Sequence, residues 1–197
     1  MIPVGHDDYA VELKTCEIAM KDLTASYRFA DRVMSYCAAC PIFGKNWSCP
    51  PFGFDVDELL GRFDFAYILG VKMIHGEKTR AAYNTSKSAL KYSVWLMDNV
   101  NLKLLDILHD LERKYPGSRG ASGGSCKICK TCARIDSLPC RFPGKMRNSI
   151  ESLGFDVSMI SKDLLGLELV WMKDGLPPYQ VLVNALFTSG RCGGIIR

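Results

Sequence analysis

Long apolar runs are missing from this sequence. No uninterrupted apolar stretch of about 18 residues occurs, which excludes an ordinary membrane-spanning helix. Histidine is scarce: His6, His75 and His109 are dispersed, and none has a partner four residues on, so a histidine-based metal site is not expected. Blocks of like charge are also missing. The net charge of +4 arises from 25 basic and 21 acidic residues scattered over 197 positions, so nucleic acid is not an expected partner. No Ser–His–Asp, paired-carboxylate or thioredoxin-type constellation stands out. Gly117 to Gly124 (GSRGASGG) is glycine-rich, yet no Lys-Ser/Thr pair follows it and no dinucleotide fingerprint is completed. Its glycines are expected to let backbone amides approach a metal-bound sulfur. Met1 to Asp8 (MIPVGHDD) lacks the basic, apolar and small-residue succession of a secretory leader, and the expected compartment is a reducing cytoplasm.

What the sequence has in excess is cysteine. Nine cysteines are many for this length, and the odd count leaves one over from any closed disulfide framework. The strongest spacing is Cys126-x2-Cys129-x2-Cys132-x7-Cys140. Thiolates two residues apart on a tight turn can each take one iron of a cubane, so the run suits a 4Fe–4S cluster. Structural zinc more often uses paired knuckles separated by a long gap; zinc is the alternative, and plain buried thiols the third reading. The pattern departs from the bacterial ferredoxin run, because Cys140 comes seven residues late and Pro139 precedes it.

A second group, Cys37-x2-Cys40-x8-Cys49-Pro50-Pro51, supplies three thiolates from one loop. Three is one short of a closed site. Either Cys16, Cys140 or Cys192 adds the fourth, giving a second cluster or a structural metal, or a position stays open for a small molecule. Lys45, Arg141, Lys145 and Arg147 flank the two groups, where cations would raise a cluster's potential or hold an anion unless they are ordinary surface charge. Trp47 and Phe52 flank Cys49 and would shield a cluster from water, or simply pack in the core.

With 48% hydrophobic residues the chain can bury a core without disulfides, and a single domain over 1–197 is expected, with cysteine-rich loops at 37–54 and 123–143. Helical spacing of Leu23, Tyr27, Ala30 and Met34 predicts a helix over about 22–36, started by Asp22 and delivering Cys37 at its end. Phe65 to Ile74 (FAYILGVKMI) reads as a central strand covered on both faces. A long helix is expected over about 79–115, with Leu90, Val94, Met97, Leu104, Leu108 and Leu111 on its buried stripe and Asn101 interrupting it. A short helix over 144–153 should close at Gly154. Leu167 to Met172 and Tyr179 to Phe187 are expected to pair as a hairpin. The fold class is α+β (mixed α/β): a small sheet packed with helices, one of them long, plus the metal-binding loops.

Three blocks, FGKNWSCPPF at Phe43 to Phe52, GGSCKICKTC at Gly123 to Cys132 and PCRFPGKMRNSIESLGFDV at Pro139 to Val157, give the sequence a resemblance to a known family. It resembles the predicted metal-binding proteins called domain of unknown function 2284, small cysteine-rich proteins mostly of anaerobic bacteria and archaea. The resemblance implies iron–sulfur sites at Cys37, Cys40, Cys49, Cys126, Cys129, Cys132 and Cys140, and attaches no reaction. Cys16 and Cys192 lie outside the blocks. The expected function is a metal-binding protein carrying one 4Fe–4S cluster or two, for electron transfer or redox chemistry with a partner enzyme. Two alternatives stand beside it: an iron–sulfur enzyme activating a small molecule at an open three-cysteine cluster, and a zinc-stabilised interaction module.

Overall fold

Tyr9–Ala19 forms β1, an edge strand on which Cys16 and Ile18 pack against the core while Val11 and Leu13 are exposed. The computed structural model describes residues 9–193, so Met1 to Asp8 and His6 with them lie outside the described residues. Phe65–His75 forms β2, and Tyr179–Thr188 forms β4. Between those two in the chain, the three residues Arg119–Ala121 form β3. The sheet order is β1-β2-β4-β3, every neighbouring pair antiparallel, with Ala19 opposite Phe65, Phe65 opposite Thr188 and Arg119 opposite Phe187.

Helices cover both faces. On one side Ser86–Lys114, helix α5, lays Tyr92, Leu96, Val100, Leu104 and Leu108 over the odd-numbered face of β2. On the other, Met20–Tyr27 (α1) and Val157–Leu165 (α6) pack Leu23, Ile160 and Leu165 against Ala66, Ile68, Val183 and Phe187. The central strand is therefore buried on both faces, as its unbroken apolar run requires. Gly70 has a packing reason: a Cβ there would lie 2.5 Å from Leu165 Cδ1 and 3.1 Å from Leu167 Cδ1. Ala30–Ala38 (α2), Val56–Leu60 (α3) and Glu77–Ala82 (α4) complete the helices, an α+β fold as expected. No helix of the described residues is long and apolar enough to cross a membrane.

Several expected elements are divided or replaced. The helix expected over 22–36 is two helices, because the chain between them pairs with residues 153–156 instead. Phe29 N–H donates to Gly154 O at 2.9 Å, Arg28 Nε to Leu153 O at 2.9 Å, and Asp156 N–H to Tyr27 O at 2.8 Å. Asp22 sits in the first turn of α1 rather than capping it. The long helix is likewise broken at Tyr83-Asn84, where Thr85 and Ser88 form a reciprocal capping box that starts α5 anew. Leu104 and Leu108 of the expected stripe are buried, whereas Leu90 and Val94 are 54% and 48% exposed and Tyr92 takes the core position. Asn101 belongs to that face, donating from Nδ2 to Gly123 O at 2.6 Å.

Only Glu151–Leu153 of the short helix expected over 144–153 is helical, as a single 3-10 turn closed by left-handed Gly154. The preceding residues run extended beside Ser122, which receives Ile150 N–H and gives its own N–H to Asn148 O. The expected hairpin is absent. Leu167–Met172 forms no strand, because Leu165 and Leu167 anchor this segment on the face of the sheet at Gly70, and β4 pairs with β2 and β3.

Candidate metal centre

Two extended loops carry the cysteines, and hydrogen bonds lock one to the other. The first leaves α2, whose last turn holds Cys37, and runs through Cys40 to Cys49. The second leaves β3 and runs through Cys126 to Cys140, with the 3-10 turn Ala133–Asp136 in its middle. Ser48 Oγ accepts from Cys126 N–H at 2.8 Å, Asn46 Nδ2 donates to Cys126 O at 3.0 Å, and Trp47 Nε1 donates to Leu138 O at 3.0 Å. From the second loop, the Arg134 guanidinium donates to Asn46 O at 3.0 Å, to Cys49 O at 2.6 Å and to Pro51 O, and lies 4.8 Å over the Trp47 ring. One planar cation thus satisfies three carbonyls of a loop that has no regular structure to satisfy them.

This arrangement sorts seven cysteines into two clefts. Cys126, Cys129, Cys132 and Cys140 line the first together with Trp47, Ile128, Phe142 and Met146. Cys37, Cys40 and Cys49 line the second with Ile42, Phe43, Ser149, Ser152 and the carboxyl-bearing Glu151. Charge coupling follows the same partition. Burial pushes the Cys126 thiol up, the Ile128 amide opposes this, and Cys140, Cys129 and Cys132 add to the rise. Burial also raises Cys49, the Ser48 hydroxyl opposes it, and Cys37, Cys40 and Glu151 add to it. Cys37 is raised by burial, then by Cys40 and Glu151. Such thiols hold their protons unless a cation compensates the thiolate charge, and metal binding displaces the proton.

Cys16 and Cys192 belong to neither cleft. Cys16 packs on the sheet core beside α6, and Cys192 lies at the far end of β4, its N–H donating to Tyr67 Oη at 2.7 Å. Cys140 lines the first cleft and not the second. All nine cysteines are free thiols. Among the described residues no three His, Cys, Asp or Glu side chains close around a single-ion position. Four soft thiols with no histidine among them fit either an iron–sulfur cluster or a four-cysteine zinc site.

The flanking cations have separate employments. Arg141 lines the first cleft and donates to Thr131 O at 2.8 Å, whereas Lys45 donates to Pro41 O within its own loop. Lys145 is exposed. Arg147 is paired with Glu112 of α5 in a partly buried bridge. The glycines of the 117–124 segment do not offer their amides to a sulfur: Gly120, Gly123 and Gly124 donate to Glu112 Oε1, Asn184 Oδ1 and Glu151 Oε2. Gly123 is there because a Cβ would stand 2.9 Å from Val183 O. Phe52 stacks on Phe54 at 4.8 Å, away from the first cleft's lining. His75 is buried against Gln180 and His109 meets Lys145 O, so neither joins a cysteine group.

Residue-by-residue reading overlooked Arg134, Asn46, Ser48 and Glu151. The position of Asn46, Ser48 and Arg134 inside the cysteine loops hinted at a role; Glu151 resembles a surface charge until the loops are folded together.

The Glu112 bridge holds the second loop to α5 and is sensitive to acid. Burial alone would raise the Glu112 carboxyl, but the Arg147 guanidinium and the Gly120 amide outweigh it and hold the group below its ordinary value of 4.5. A folded value below the unfolded one contributes stability that is present above the unfolded value and disappears as pH falls through the folded one. In urea unfolding, Glu112→Gln is therefore expected to be clearly less stable than wild type near neutral pH, with the gap closing as pH drops below about 4. A gap independent of pH would contradict this role.

No curated protein and no solved structure matches the chain. A family model does, over residues 23–183, a span that takes in both cysteine loops with β2 and β3, leaves β1 outside and includes β4 as far as Val183. With that match covering most of the chain and seven of its cysteines gathered into two clefts, the protein belongs to the family of predicted metal-binding proteins, domain of unknown function 2284.

Proposed function

We propose that this is an iron–sulfur protein with a 4Fe–4S cluster on Cys126, Cys129, Cys132 and Cys140, serving electron transfer or redox chemistry with a partner enzyme. The observation that carries the reading is the shared cleft: four thiols, three of them at two-residue gaps in the chain, walled by Trp47, Ile128, Phe142 and Met146. When bound, such a cluster supplies a reversible one-electron couple. The chain's own part is to set that couple. Apolar walls limit water, the Ile128 amide stabilises negative charge on Cys126, and Arg141 adds a cation at the rim. Free thiols throughout suit a reducing cytoplasm.

A second reading, that the first cysteine group holds another cluster at which a small molecule binds, is favoured by a specific observation. None of Cys16, Cys140 and Cys192 lines the cleft of Cys37, Cys40 and Cys49, so no fourth cysteine closes it. Iron, zinc and acid-labile sulfide per chain, measured with the visible spectrum on protein purified without oxygen, test both readings. About four irons with equal sulfide and bleaching by reductant are expected for one cluster, and about eight for two. Stoichiometric zinc without sulfide under the same handling would sink the redox reading and leave a structural zinc module.

A further inference from the structure

We propose that Glu151 is the fourth protein ligand of the metal centre begun by Cys37, Cys40 and Cys49, an oxygen donor completing a three-thiolate set. The inference rests on the reading that the first cysteine group holds an iron–sulfur cluster. Among the residues lining that cleft, Glu151 is the one with a carboxylate, and no histidine or aspartate accompanies it. The remaining polar side chains there are the hydroxyls of Ser125, Ser149 and Ser152, which stay neutral near pH 7 and bind metals weakly.

Glu151 is also a carboxylate without a charge partner. It accepts Gly124 N–H at 3.3 Å, yet among the described residues no lysine, arginine or histidine forms an ion pair with it. Its own side chain is half-buried, beside Ile150, Ser152 and Leu153, which are buried. A carboxylate partly withdrawn from water and given no cation is open to a metal. In this cleft the three thiols are likewise open to one, and one metal centre answers both.

Charge is conserved by the exchange, since three thiolates and one carboxylate carry the same total charge as four thiolates. Reactivity is not. Carboxylate oxygen is a harder, weaker donor to cluster iron than thiolate sulfur, so the iron it holds is the exchangeable one. A small Lewis base could displace Glu151 there without disturbing the three cysteines. The Gly124 N–H, which donates to the carboxyl on a segment fixed through Gly123 to Asn184, gives the displaced side chain a place to rest.

The test compares wild type, Glu151→Ala and Glu151→Cys, all purified without oxygen and shown by circular dichroism to be folded. Iron is counted, and one equivalent of ferricyanide is then added. Loss of one electron takes a 4Fe–4S core of charge 2+ to 3+, and release of one Fe2+ leaves a 3Fe–4S core of charge 1+, which is seen by electron paramagnetic resonance. Glu151→Ala is expected to give at least about tenfold more of this signal than wild type, and Glu151→Cys less than either, because iron release follows the weakest ligand. Equal signals in the three proteins, all with about eight irons, would overturn the role of Glu151 alone. Four irons in wild type, unchanged in Cys49→Ser, would overturn this proposal together with the second cluster on which it stands.

Discussion

Cys129→Ser is expected to remove about four irons and an equal amount of sulfide per chain while leaving the centre at the first cysteine group loaded. The reason lies in how the loops are joined. Cys129 shares its cleft with Cys126, Cys132 and Cys140, and the thiol-to-thiol charge coupling stays within that set. What connects the two groups is hydrogen bonding through Asn46, Arg134 and Ser48, of which Ser48 also touches a thiol, its Oγ lying 3.6 Å from Cys49 Sγ. A serine oxygen in place of one thiolate leaves an iron poorly held, and cubanes short of a ligand are lost to oxidation. Cys49→Ser is expected to do the converse, removing the first group's metal and sparing the visible spectrum of the second. Metal analysis and absorption on the two variants side by side decide the matter. If either substitution empties both clefts, the two groups depend on each other for metal and the partition described here is wrong.

Arg134→Ala should have the largest effect of any substitution that touches no cysteine. The guanidinium donates to three carbonyls of the first loop, at Asn46, Cys49 and Pro51, and stacks on Trp47. Each hydrogen bond from a charged donor contributes about 1.5–3 kcal/mol, and such values do not add fully, so a loss of about 3 kcal/mol is expected. More telling is the coupling. With the clamp gone, Cys49 is no longer held against the Cys126 loop, and the metal content of both clefts should fall together. Arg134→Lys should recover little, because an ammonium lacks the planar fork that reaches several carbonyls at once. Denaturant unfolding of the metal-loaded proteins, with iron counted before and after, measures both effects. Unchanged midpoint and unchanged iron in Arg134→Ala would show that the clamp is incidental.

Cysteine spacing was readable because chemistry constrains it locally: thiols two residues apart on a tight turn can converge on one metal centre. Hence Cys126, Cys129 and Cys132 group together in the sequence as they do in space. β2 was readable for a similar reason, since a strand covered on both faces needs an unbroken apolar run and FAYILGVKMI supplies one. Less legible were elements whose limits are set by distant partners. Arg28 and Phe29 have the pattern of a helix interior, yet residues 153–156 offered their backbone groups a better use. Leu167 to Met172 has the composition of a strand, but Gly70 opened a place on the sheet for Leu167 and the segment followed its anchor. Leu90 and Val94 look more apolar than Tyr92, yet which side of α5 meets the sheet depends on where Thr85 caps the helix.

By itself, then, the order of residues determined the α+β class, the central strand and the two cysteine groups. All of these follow from short-range periodicity or from spacing within a loop. Tertiary structure alone decided that Cys16, Cys140 and Cys192 stay outside the three-cysteine cleft, that Arg134 locks the loops together, and that Glu151 faces that cleft. The Arg134 and Glu151 pairings span 83 to 114 residues of chain. No local rule encodes them, because each is fixed by where sheet packing brings two otherwise irregular segments side by side.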